Sequence, residues 1–484
     1  MRTGSNDLPS VHQFIGGQWC EGTGVHRQLV IDPSTELPVA ELRHASDADV
    51  DQAIAAAQAA FAGWRDTPAI ERSRLLHACA AHMRQRKGDI SRLIGIELGK
   101  PLAQGLAEVE TAAEIFDWAA EETRRSYGRV IPARAGLLQQ RTELVPVGVV
   151  AALSGWNAPA ITPSRKLSTA LAAGCTIVLK PSEETPRVAL ALVQAMHDAG
   201  IPPGVANLVM GDPEKIAKRM IESGLVRAIS FTGGTEVGRQ LGAMAGAQLK
   251  RMTLELGGHA PVLVFDDVDI ERVARGAVLA KYRNAGQVCT SPTRFCIHAS
   301  VYSRFVEVFV AETRRLVVGG PDRPGVHMGP LKNLRRVEAM ERFAADARHC
   351  GVEIAAGGSR LAGPGYFFEP TVLLDPQHVS AAANMEPFGP IAVLQPFDTM
   401  EEAVREANRL PVGLAAYAFT RDLGRAHELA RAVNCGSLAI NDWAVSAAET
   451  PFGGVLDSGM GVEGGSEGLR EFQQVKTVRT GSTA

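Results

Sequence analysis

From Pro146 onward, short β-branched runs alternate with helical runs, and this alternation is the feature that most limits how the chain can fold. "VGVVAALS" is followed by "RKLSTALAAG", "CTIVLKPS" by "PRVALALVQAMHDAG", and "VRAISFTGG" by "TEVGRQLGAMAG". Strands that alternate with helices predict a parallel sheet covered by helices on both faces. A second series of the same kind begins near "APVLVF" and runs to about Ile440. Sheets of this type bind ligands beyond the carboxyl ends of their strands.

The segment before this series is predicted to be mostly helical. "SDADVDQAIAAAQAAFAGW" begins with Ser46 and Asp49 as candidate caps, and its apolar residues recur at helical spacing. Two further helical runs are expected at about 70–98 and 106–127. "GRVIPARAGLLQQRTELVPV" predicts an exposed, extended arm, and "REFQQVKTVRT" predicts a final strand.

Composition argues against several classes of function. The 484 residues carry 50 basic and 53 acidic side chains, and no polybasic run indicates binding to nucleic acid or to an acidic membrane surface. No apolar run approaches the roughly 20 residues of a membrane span, and the start lacks the apolar stretch of a signal peptide, so a cytoplasmic protein is expected. Seven cysteines form no C-x-x-C pair and no H-E-x-x-H motif occurs, so we expect reduced thiols and no metal.

Three glycine-rich motifs compete for a functional role. Residues 459–464 fit G-x-G-x-x-G and residues 464–468 fit G-x-S-x-G, but "FGGVLDS" supplies no preceding strand, so we interpret both as a turn. "SFTGGTEVG" is better placed, because an apolar run precedes it and a helix follows. Gly233 and Gly234 could there present backbone N–H groups to a pyrophosphate. An ordinary strand–helix turn is the alternative.

"LKPSEETP" ends another predicted strand, and Lys180 and Glu183 leave its carboxyl end together. A lysine and a carboxylate at this place could bind the two hydroxyls of an adenosine ribose. The Glu183 carboxylate would repel a 2′-phosphate, so the pair favours NAD over NADP. A solvated ion pair at a helix cap is the alternative.

Seven segments, in order, resemble the aldehyde dehydrogenase superfamily over almost the whole chain. They are "GWNAP", "KPSE", "FTGGTEVG", "LELGGHAP", "NAGQVC", "EPFGP" and "PFGGVLDSGMG". The resemblance implies that Cys289 is the nucleophile, Glu255 the general base and Asn157 the oxyanion donor. These residue types suit the chemistry. A thiolate attacks an aldehyde and later leaves from a thioester, an amide stabilises the oxyanion, and a carboxylate activates the hydrolytic water.

The resemblance also implies a set of cofactor-binding residues and NAD as the cofactor, with NADP less favoured. That set consists of Trp156, Lys180, Ser182, Glu183, Gly233, Gly234, Leu256, Glu386 and Phe388. Glu386 matches the carboxylate that holds the nicotinamide ribose, and Phe388 matches the aromatic residue beside the nicotinamide ring. The small residues Ala285 and Gly286 are expected to leave room for the nicotinamide and the aldehyde next to the sulfur.

Two arginines indicate the class of aldehyde. Arg165 follows the Asn157 segment and Arg283 precedes Cys289, a pairing similar to the succinate semialdehyde dehydrogenases, where both arginines bind the distal carboxylate of the substrate. Ser446 lies near a further carboxylate contact of those enzymes. A buried guanidinium is costly unless it is paired, and a carboxylate is its best bidentate partner.

The expected substrate is therefore a short ω-carboxy semialdehyde such as succinate semialdehyde, and an aromatic or larger aliphatic aldehyde is the alternative. Arg165 is also expected to begin a helix, where a cation needs a compensating anion. That anion could instead come from the protein, if both arginines pair with its own carboxylates.

Three other classes of protein fit this sequence less well. An acylating, coenzyme-A-dependent relative would lack the general-base glutamate, and a catalytically silent structural or binding relative would lose the cysteine or the glutamate. This chain keeps Cys289 and Glu255. A cysteine hydrolase would need a histidine tied to the cysteine, and no recognisable pattern places His259 or His298 there.

The resemblance implies an aldehyde dehydrogenase-like α/β fold with two α/β domains, parallel-type sheets and a small extended β element. The expected NAD-binding domain spans 1–127 and 146–255, the bridging and oligomerisation element spans 128–145 and 455–484, and the catalytic domain spans 256–454. An exposed extended arm needs a partner strand, so a homodimer or homotetramer is expected.

Overall fold

Two large sheets organise the chain, and the computed structural model describes residues 8–134, 136 and 138–481 of it. The strands, in chain order, are β1 Ser10–Val11, β2 Gln13–Ile15, β3 Gln18–Cys20, β4 Arg27–Ile31, β5 Pro38–Arg43, β6 Arg129–Ile131, β7 Gln139–Pro146, β8 Val149–Leu153, β9 Thr176–Lys180, β10 Ala206–Leu208, β11 Val226–Thr232, β12 Arg251–Glu255, β13 Ala260–Val264, β14 Pro292–His298, β15 Glu353–Ala356, β16 Thr371–Leu374, β17 Ile391–Phe397, β18 Val412–Gly413, β19 Ala415–Phe419, β20 Ser437–Ile440, β21 Val455–Leu456, β22 Gly459–Met460 and β23 Gln473–Thr480.

Helices separate most of these strands. In chain order they are α1 Asp47–Asp66, α2 Ala69–Gln85, α3 Lys87–Leu98, α4 Leu102–Thr123, α5 Ile161–Ala173, α6 Pro186–Asp198, α7 Pro213–Glu222, α8 Thr235–Ala247, α9 Ile270–Tyr282, α10 Ala299–Arg314, α11 Leu334–His349, α12 Ala381–Asn384, α13 Met400–Ala407, α14 Leu423–Ala432 and α15 Gly465–Glu471. None of the helices that the structure describes is long and apolar enough to cross a membrane.

The first sheet has eight strands in the order β22-β12-β11-β8-β9-β10-β2-β3. Its five central strands are parallel, and antiparallel strands β22 and β2 flank them. Both faces are covered, so every residue of β8 is buried: Val150 and Ala152 pack into one apolar cluster, and Val149 and Ala151 into another. A parallel sheet covered on both faces needs continuous apolar strands, and this is the pattern that the sequence shows.

The second sheet has seven strands in the order β15-β16-β17-β14-β13-β19-β20, all parallel except edge strand β15. The predicted fold class, an α/β chain with two parallel-type sheets, is thereby confirmed. The third element is a sheet in which β7 pairs antiparallel with β23 and with β6. Strands β6 and β7 confirm both ends of the extended arm, of which residues 135 and 137 lie outside the described residues, and β23 confirms the final strand. Strand β22, also in the tail, belongs to the first sheet. The division into three domains stays a prediction.

The N-terminal third differs in part from the predicted helices. Helix α1 is confirmed, and Ser46 and Asp49 form its capping box. However, five short strands precede it, and the run expected at 70–98 is two helices that break at Arg86. Helix α4 begins at Leu102 and not at 106, because Gly99 adopts a left-handed φ of 78° that ends α3 and Pro101 then begins the next helix.

Candidate active site

One cavity lies where the carboxyl ends of the first sheet meet the amino ends of the second. Asn157 follows β8 and Glu255 ends β12, and both strands flank β11 in the parallel part of the first sheet. Cys289 precedes β14 and Glu386 precedes β17, and these two strands pair in parallel in the second sheet. The cavity between these four residues has a volume of about 450 Å³. Each sheet therefore supplies half of the site.

The structure brings most of the predicted site residues to this cavity. Those that line it are Trp156, Asn157, Arg165, Gly233, Gly234, Glu255, Leu256, Arg283, Cys289, Glu386, Phe388 and Ser446. The remaining predicted residues, Lys180, Ser182 and Glu183, line a second cavity. Residues that the sequence separates by almost 300 positions thus share one connected region.

A left-handed turn presents the cysteine. After α9, residues Asn284, Ala285 and Gly286 have φ values of 50°, 54° and 71°, a conformation that costs energy for a residue with a Cβ such as alanine. The expected role of Ala285 and Gly286 is wrong. Neither lines the cavity, and a Cβ at Gly286 would lie 2.1 Å from the carbonyl oxygen of Gly389. Gly286 is small because another backbone segment approaches it.

Burial dominates the acid–base properties of Cys289 and Glu255. It raises the pKa of the Cys289 thiol well above its usual value, and the Glu255 and Glu386 carboxyls raise it further. Burial raises the pKa of Glu255 to about 8, with a second contribution from Glu463, while Lys166 opposes the shift. At neutral pH a carboxyl with this pKa is mostly protonated, and above pH 8 it is mostly a base.

We expect hydrolysis of the Cys289 acyl-enzyme to accelerate about tenfold per pH unit below pH 8 and to level off above it, because only ionised Glu255, with its pKa of about 8, can take a proton from water. Stopped-flow measurement of deacylation, after Cys289 is acylated with p-nitrophenyl acetate, gives this profile without any cofactor. The same rise in a Glu255→Gln variant would show that another group titrates.

Lys166 and Glu463 form a buried ion pair behind the base, and the Lys166 Nζ also donates to Ser230 Oγ at 2.9 Å. Glu463 lines the catalytic cavity, and the sequence analysis does not identify it as a site residue. It lies in the glycine-rich tail segment that the sequence predicts only as a turn, and no local signal distinguishes this buried glutamate from exposed ones. Its partner is 297 positions away in the sequence, so only the fold brings the two together.

Arg165 is buried without a protein partner. Its residue is 5% exposed, its Nη1 has no hydrogen-bond partner, and no carboxylate among the described residues pairs with it. The guanidinium lies over the Phe452 ring, 5.3 Å from the ring centroid, and lines the cavity of Cys289. Helix α5 begins at Ile161, so Arg165 stands in its second turn and not at its start as expected. A buried cation with unused donors is costly unless a bound anion compensates it.

Arg283 and Ser446 are exposed residues of the same cavity and lie at its mouth. Within the described ranges, Arg283 also makes no ion pair. Among the described residues neither arginine forms an ion pair with a carboxylate, although Glu463 and Glu255 oppose the lowering of the Arg165 pKa that burial causes.

Gly464 limits the space behind Arg165, since a Cβ there would lie 2.5 Å from Nη1. We expect Gly464→Ala to displace the guanidinium and to lower kcat/KM for an anionic aldehyde about tenfold, with less than a twofold change for a neutral one. Steady-state kinetics with succinate semialdehyde and butanal measure both. Gly351→Ala is the matched control, because Gly351 also has a positive φ, 73°, but a Cβ there meets nothing within 4 Å. An equal loss on both aldehydes would contradict the expectation.

The second cavity, of about 400 Å³, lies between α7 and α8 and has the features of a dinucleotide site. Lys180 and Glu183 are paired at 2.5 Å and are largely buried, so they do not form a solvated surface pair. Two buried hydroxyls of this cavity, those of Ser154 and Thr232, have no hydrogen-bond partner among the residues that the structure describes. Ser182 lines it as well. Such unused donors and acceptors fit the ribose and phosphates of a nucleotide.

The two cavities share Gly155 and Thr232, so a single extended ligand can occupy both. Gly234, the N-cap of α8, lines the catalytic cavity, and a Cβ at this position would meet no described atom within 4 Å. This open helix start suits a pyrophosphate.

Contacts from Trp156 and Arg336 hold Phe388 at one end of the catalytic cavity. Phe388 has a left-handed φ of 47°, and its ring meets Trp156 edge-on at 5.6 Å. Arg336, a further residue that sequence reasoning missed, donates to the Phe388 carbonyl oxygen at 3.0 Å and lines the cavity. Burial raises the pKa of Glu386 to about 8, although a backbone hydrogen bond from Gly258 lowers it.

The histidines invoked for a cysteine hydrolase lie elsewhere. The Nε2 of His259 is 3.1 Å from the Ala382 carbonyl oxygen, and His298 caps α10. No histidine lines the catalytic cavity in the described part of the chain. The arrangement at Cys289 supports attack on a carbonyl carbon with a glutamate as base.

Comparisons with known proteins agree with this chemistry. The model of the aldehyde dehydrogenase family matches residues 19–478. The chain is 43% identical, over 96% of both sequences, to a putative 4-(hydroxymethyl)benzenesulfonate dehydrogenase of Comamonas testosteroni. It is 38% identical, again over 96% of both, to the glutarate-semialdehyde dehydrogenase of Pseudomonas putida. A crystal structure of succinate-semialdehyde dehydrogenase from Burkholderia pseudomallei superposes with a TM-score of 0.96 at 39% identity and covers 100% of both chains.

Proposed function

Because the chain belongs to the aldehyde dehydrogenase family, as its sequence predicted, we propose that it oxidises an aldehyde with a distal anionic group to the carboxylic acid. A short ω-carboxy semialdehyde such as succinate semialdehyde is the preferred substrate. The observation that carries this proposal is the buried, unpartnered guanidinium of Arg165 in the cavity of Cys289. A substrate carboxylate there would complete the missing ion pair.

The reaction uses residues of this chain in a fixed order. The Cys289 thiol releases its proton to solvent, its sulfur adds to the aldehyde carbon, and the Asn157 amide donates to the oxyanion of the thiohemiacetal. Loss of hydride from that carbon leaves a thioester on Cys289. Glu255 then takes a proton from water, the hydroxide adds to the thioester, and the acid leaves as the thiol is restored.

NAD is the cofactor that we propose, and its nicotinamide supplies the hydride acceptor when it is bound. The residues that would hold it are those of the two connected cavities: Lys180, Ser182 and Glu183 at the adenosine end, Gly233 and Gly234 at the pyrophosphate, and Trp156, Leu256, Glu386 and Phe388 at the nicotinamide end. The unpartnered hydroxyls and the open start of α8 support this assignment.

Glu183 is expected to disfavour a 2′-phosphate. We predict that Glu183→Gln raises the NADP-to-NAD ratio of kcat/KM about tenfold, because it removes a negative charge and frees Lys180. Glu214→Gln is the matched control, since Glu214 lines the same cavity but makes no ion pair with Lys180. A wild-type enzyme that already prefers NADP would contradict the role of Glu183.

A sulfonated aromatic aldehyde is the second candidate substrate. One similar protein is named for a benzenesulfonate, and a sulfonate offers Arg165 the same negative charge as a carboxylate. The Phe452 ring under Arg165, with Ile161 and Val288, gives the cavity apolar walls that an aromatic ring could contact.

Thioester transfer to coenzyme A is disfavoured, because Glu255 stands beside the cysteine as the base for hydrolysis. For the assembly we propose a homodimer or homotetramer, in which edge strand β23, mostly exposed, pairs with another copy. A cytoplasmic location also stays a proposal.

A panel of aldehydes, read as reduced cofactor at 340 nm with NAD and with NADP, tests the proposal. It includes succinate and glutarate semialdehydes, 4-sulfobenzaldehyde, butanal and benzaldehyde. We expect both anionic classes to exceed their neutral counterparts in kcat/KM. Equal or better turnover of butanal and benzaldehyde would overturn the proposal.

A further inference from the structure

A polar network at the start of α4 reaches the loop that carries the oxyanion donor. Lys100, two residues before α4, is 7% exposed, pairs with Glu108, and donates from Nζ to the Asn157 carbonyl oxygen at 3.2 Å. The other Glu108 oxygen, Oε1, accepts a hydrogen bond from the Ala160 N–H at 2.9 Å. One ion pair thus holds both ends of the loop 157–160.

Asn284 connects the cysteine loop to the same point. Its Nδ2 donates to the Asn157 carbonyl oxygen at 3.0 Å and to that of Gln287 at 3.1 Å. Its backbone N–H donates to Oε1 of Gln104, in the first turn of α4, at 2.9 Å. The φ of 50° at Asn284 belongs to the region that asparagine tolerates better than most residues. The Asn157 carbonyl oxygen therefore accepts two hydrogen bonds, one from Lys100 beside α4 and one from Asn284 in the cysteine loop.

We propose that Lys100, Glu108, Gln104 and Asn284 are positioning residues that fix the Asn157 backbone, and with it the oxyanion-binding amide, relative to Cys289. None of the four lines the catalytic cavity, so they act through Asn157 and do not touch the substrate. The inference rests on the proposed reaction at Cys289 but not on the identity of the aldehyde.

Two physical arguments support a positioning role over a purely stabilising one. A buried ion pair contributes little net stability compared with apolar residues of the same volume, so the Lys100–Glu108 pair is not explained by folding alone. Oxyanion stabilisation, in contrast, depends steeply on geometry, and a misplacement of about 1 Å can cost about 100-fold in rate. Lys100 and Asn284 both donate to the Asn157 carbonyl oxygen. They therefore restrain the distance between the Asn157 amide and the Cys289 sulfur.

A double-mutant cycle tests the proposal. We expect Lys100→Met to lower kcat about tenfold, because the Asn157 amide moves away from the oxyanion. The KM for the aldehyde should stay within twofold of the wild-type value, because the residues that bind the substrate do not move. In an Asn157→Ala background, which lacks the amide, the same substitution should cost less than twofold. Hydrolysis of p-nitrophenyl acetate, which forms an oxyanion at Cys289 without cofactor, should follow the same pattern. A full tenfold cost in the Asn157→Ala background would overturn the proposal.

Lys332→Met is the matched control for loss of a buried lysine. Lys332 is 2% exposed and likewise donates to backbone carbonyls, those of Ile31 and Glu97, but it lines neither cavity. We expect Lys332→Met to lower the thermal midpoint. Its kcat, calculated per folded enzyme molecule, should not show the tenfold loss that is expected for Lys100→Met.

Asn284→Asp gives an independent second cycle if Lys100→Met fails to fold. It keeps the shape and the left-handed tendency of Asn284 but removes the donor to Asn157, and its cost should also vanish in the Asn157→Ala background. Measurable wild-type turnover with no coupling in either cycle would overturn this inference alone. Absence of aldehyde oxidation by the wild type would overturn the proposed function first.

Discussion

Replacement of Glu255 by glutamine is expected to leave one rapid burst of reduced cofactor per active site and to slow steady turnover by about 10²–10⁴-fold. Glu255 takes no part in hydride loss, but its carboxylate is the base for the water that hydrolyses the thioester on Cys289. The glutamine keeps the size of the side chain and cannot accept the proton. Stopped-flow absorbance at 340 nm, with enzyme in the micromolar range, resolves the burst from the slow phase.

Two controls limit the interpretation of that burst. Cys289→Ala should give no burst, because no thiohemiacetal can form. Acid quenching of Glu255→Gln during turnover should leave a mass on the peptide that contains Cys289 equal to the acyl group. A Glu255→Gln enzyme that lost the burst together with turnover would place Glu255 in the attack of the thiol and not in hydrolysis.

Replacement of Arg165 by methionine should lower kcat/KM for succinate semialdehyde by about 10²–10³-fold, because a desolvated charge pair between guanidinium and carboxylate is lost. Butanal has the same number of carbons, with a methyl group in place of the carboxylate. Its kcat/KM should change by less than threefold. Methionine fills similar volume over the Phe452 ring, so the apolar contact remains. Paired steady-state measurements on the two aldehydes give the selectivity directly.

Arg165→Lys and Arg283→Ala refine this result. Lysine keeps the charge but not the two-pronged geometry, so it should restore only part of the activity on the semialdehyde. Arg283 is exposed at the cavity mouth. Arg283→Ala should therefore raise the KM for the semialdehyde, and its loss of kcat/KM should be smaller than that of Arg165→Met. Equal losses on semialdehyde and butanal for Arg165→Met would show that Arg165 supports the fold and not the substrate.

Cys289, Glu255 and Asn157 could be assigned to one site from the sequence because each lies in a short segment with its own pattern, and all three line one cavity. "NAGQVC" and "LELGGHAP" mark Cys289 and Glu255 by local sequence, and the alternation of strands and helices predicts that both sheets are parallel. The carboxyl ends of β8 and β12 bring Asn157 and Glu255 to one edge of the first sheet. Cys289 instead precedes β14, at the amino end of the second sheet, and the rule for parallel sheets does not predict its place.

Other features depend on contacts that no local pattern encodes. Whether Arg165 is free depends on Glu463, which is already engaged by Lys166 from a distant part of the chain. Ala285 and Gly286 were misinterpreted, because small residues beside a nucleophile look the same whether a ligand or another backbone segment approaches them. The network of Lys100 and Glu108 was missed for the same reason, since it acts on a carbonyl 57 positions away.

The central claim is that the cavity of Cys289 binds the distal anion of its aldehyde through Arg165. The most direct measurement is calorimetric titration of the Cys289→Ala enzyme, saturated with NAD, with succinate semialdehyde and with butanal, since binding is then separated from chemistry. We expect the semialdehyde to bind about 100-fold more tightly, and this difference to disappear in Cys289→Ala/Arg165→Met. Equal dissociation constants for the two aldehydes, or a difference that survives the loss of Arg165, would contradict the account.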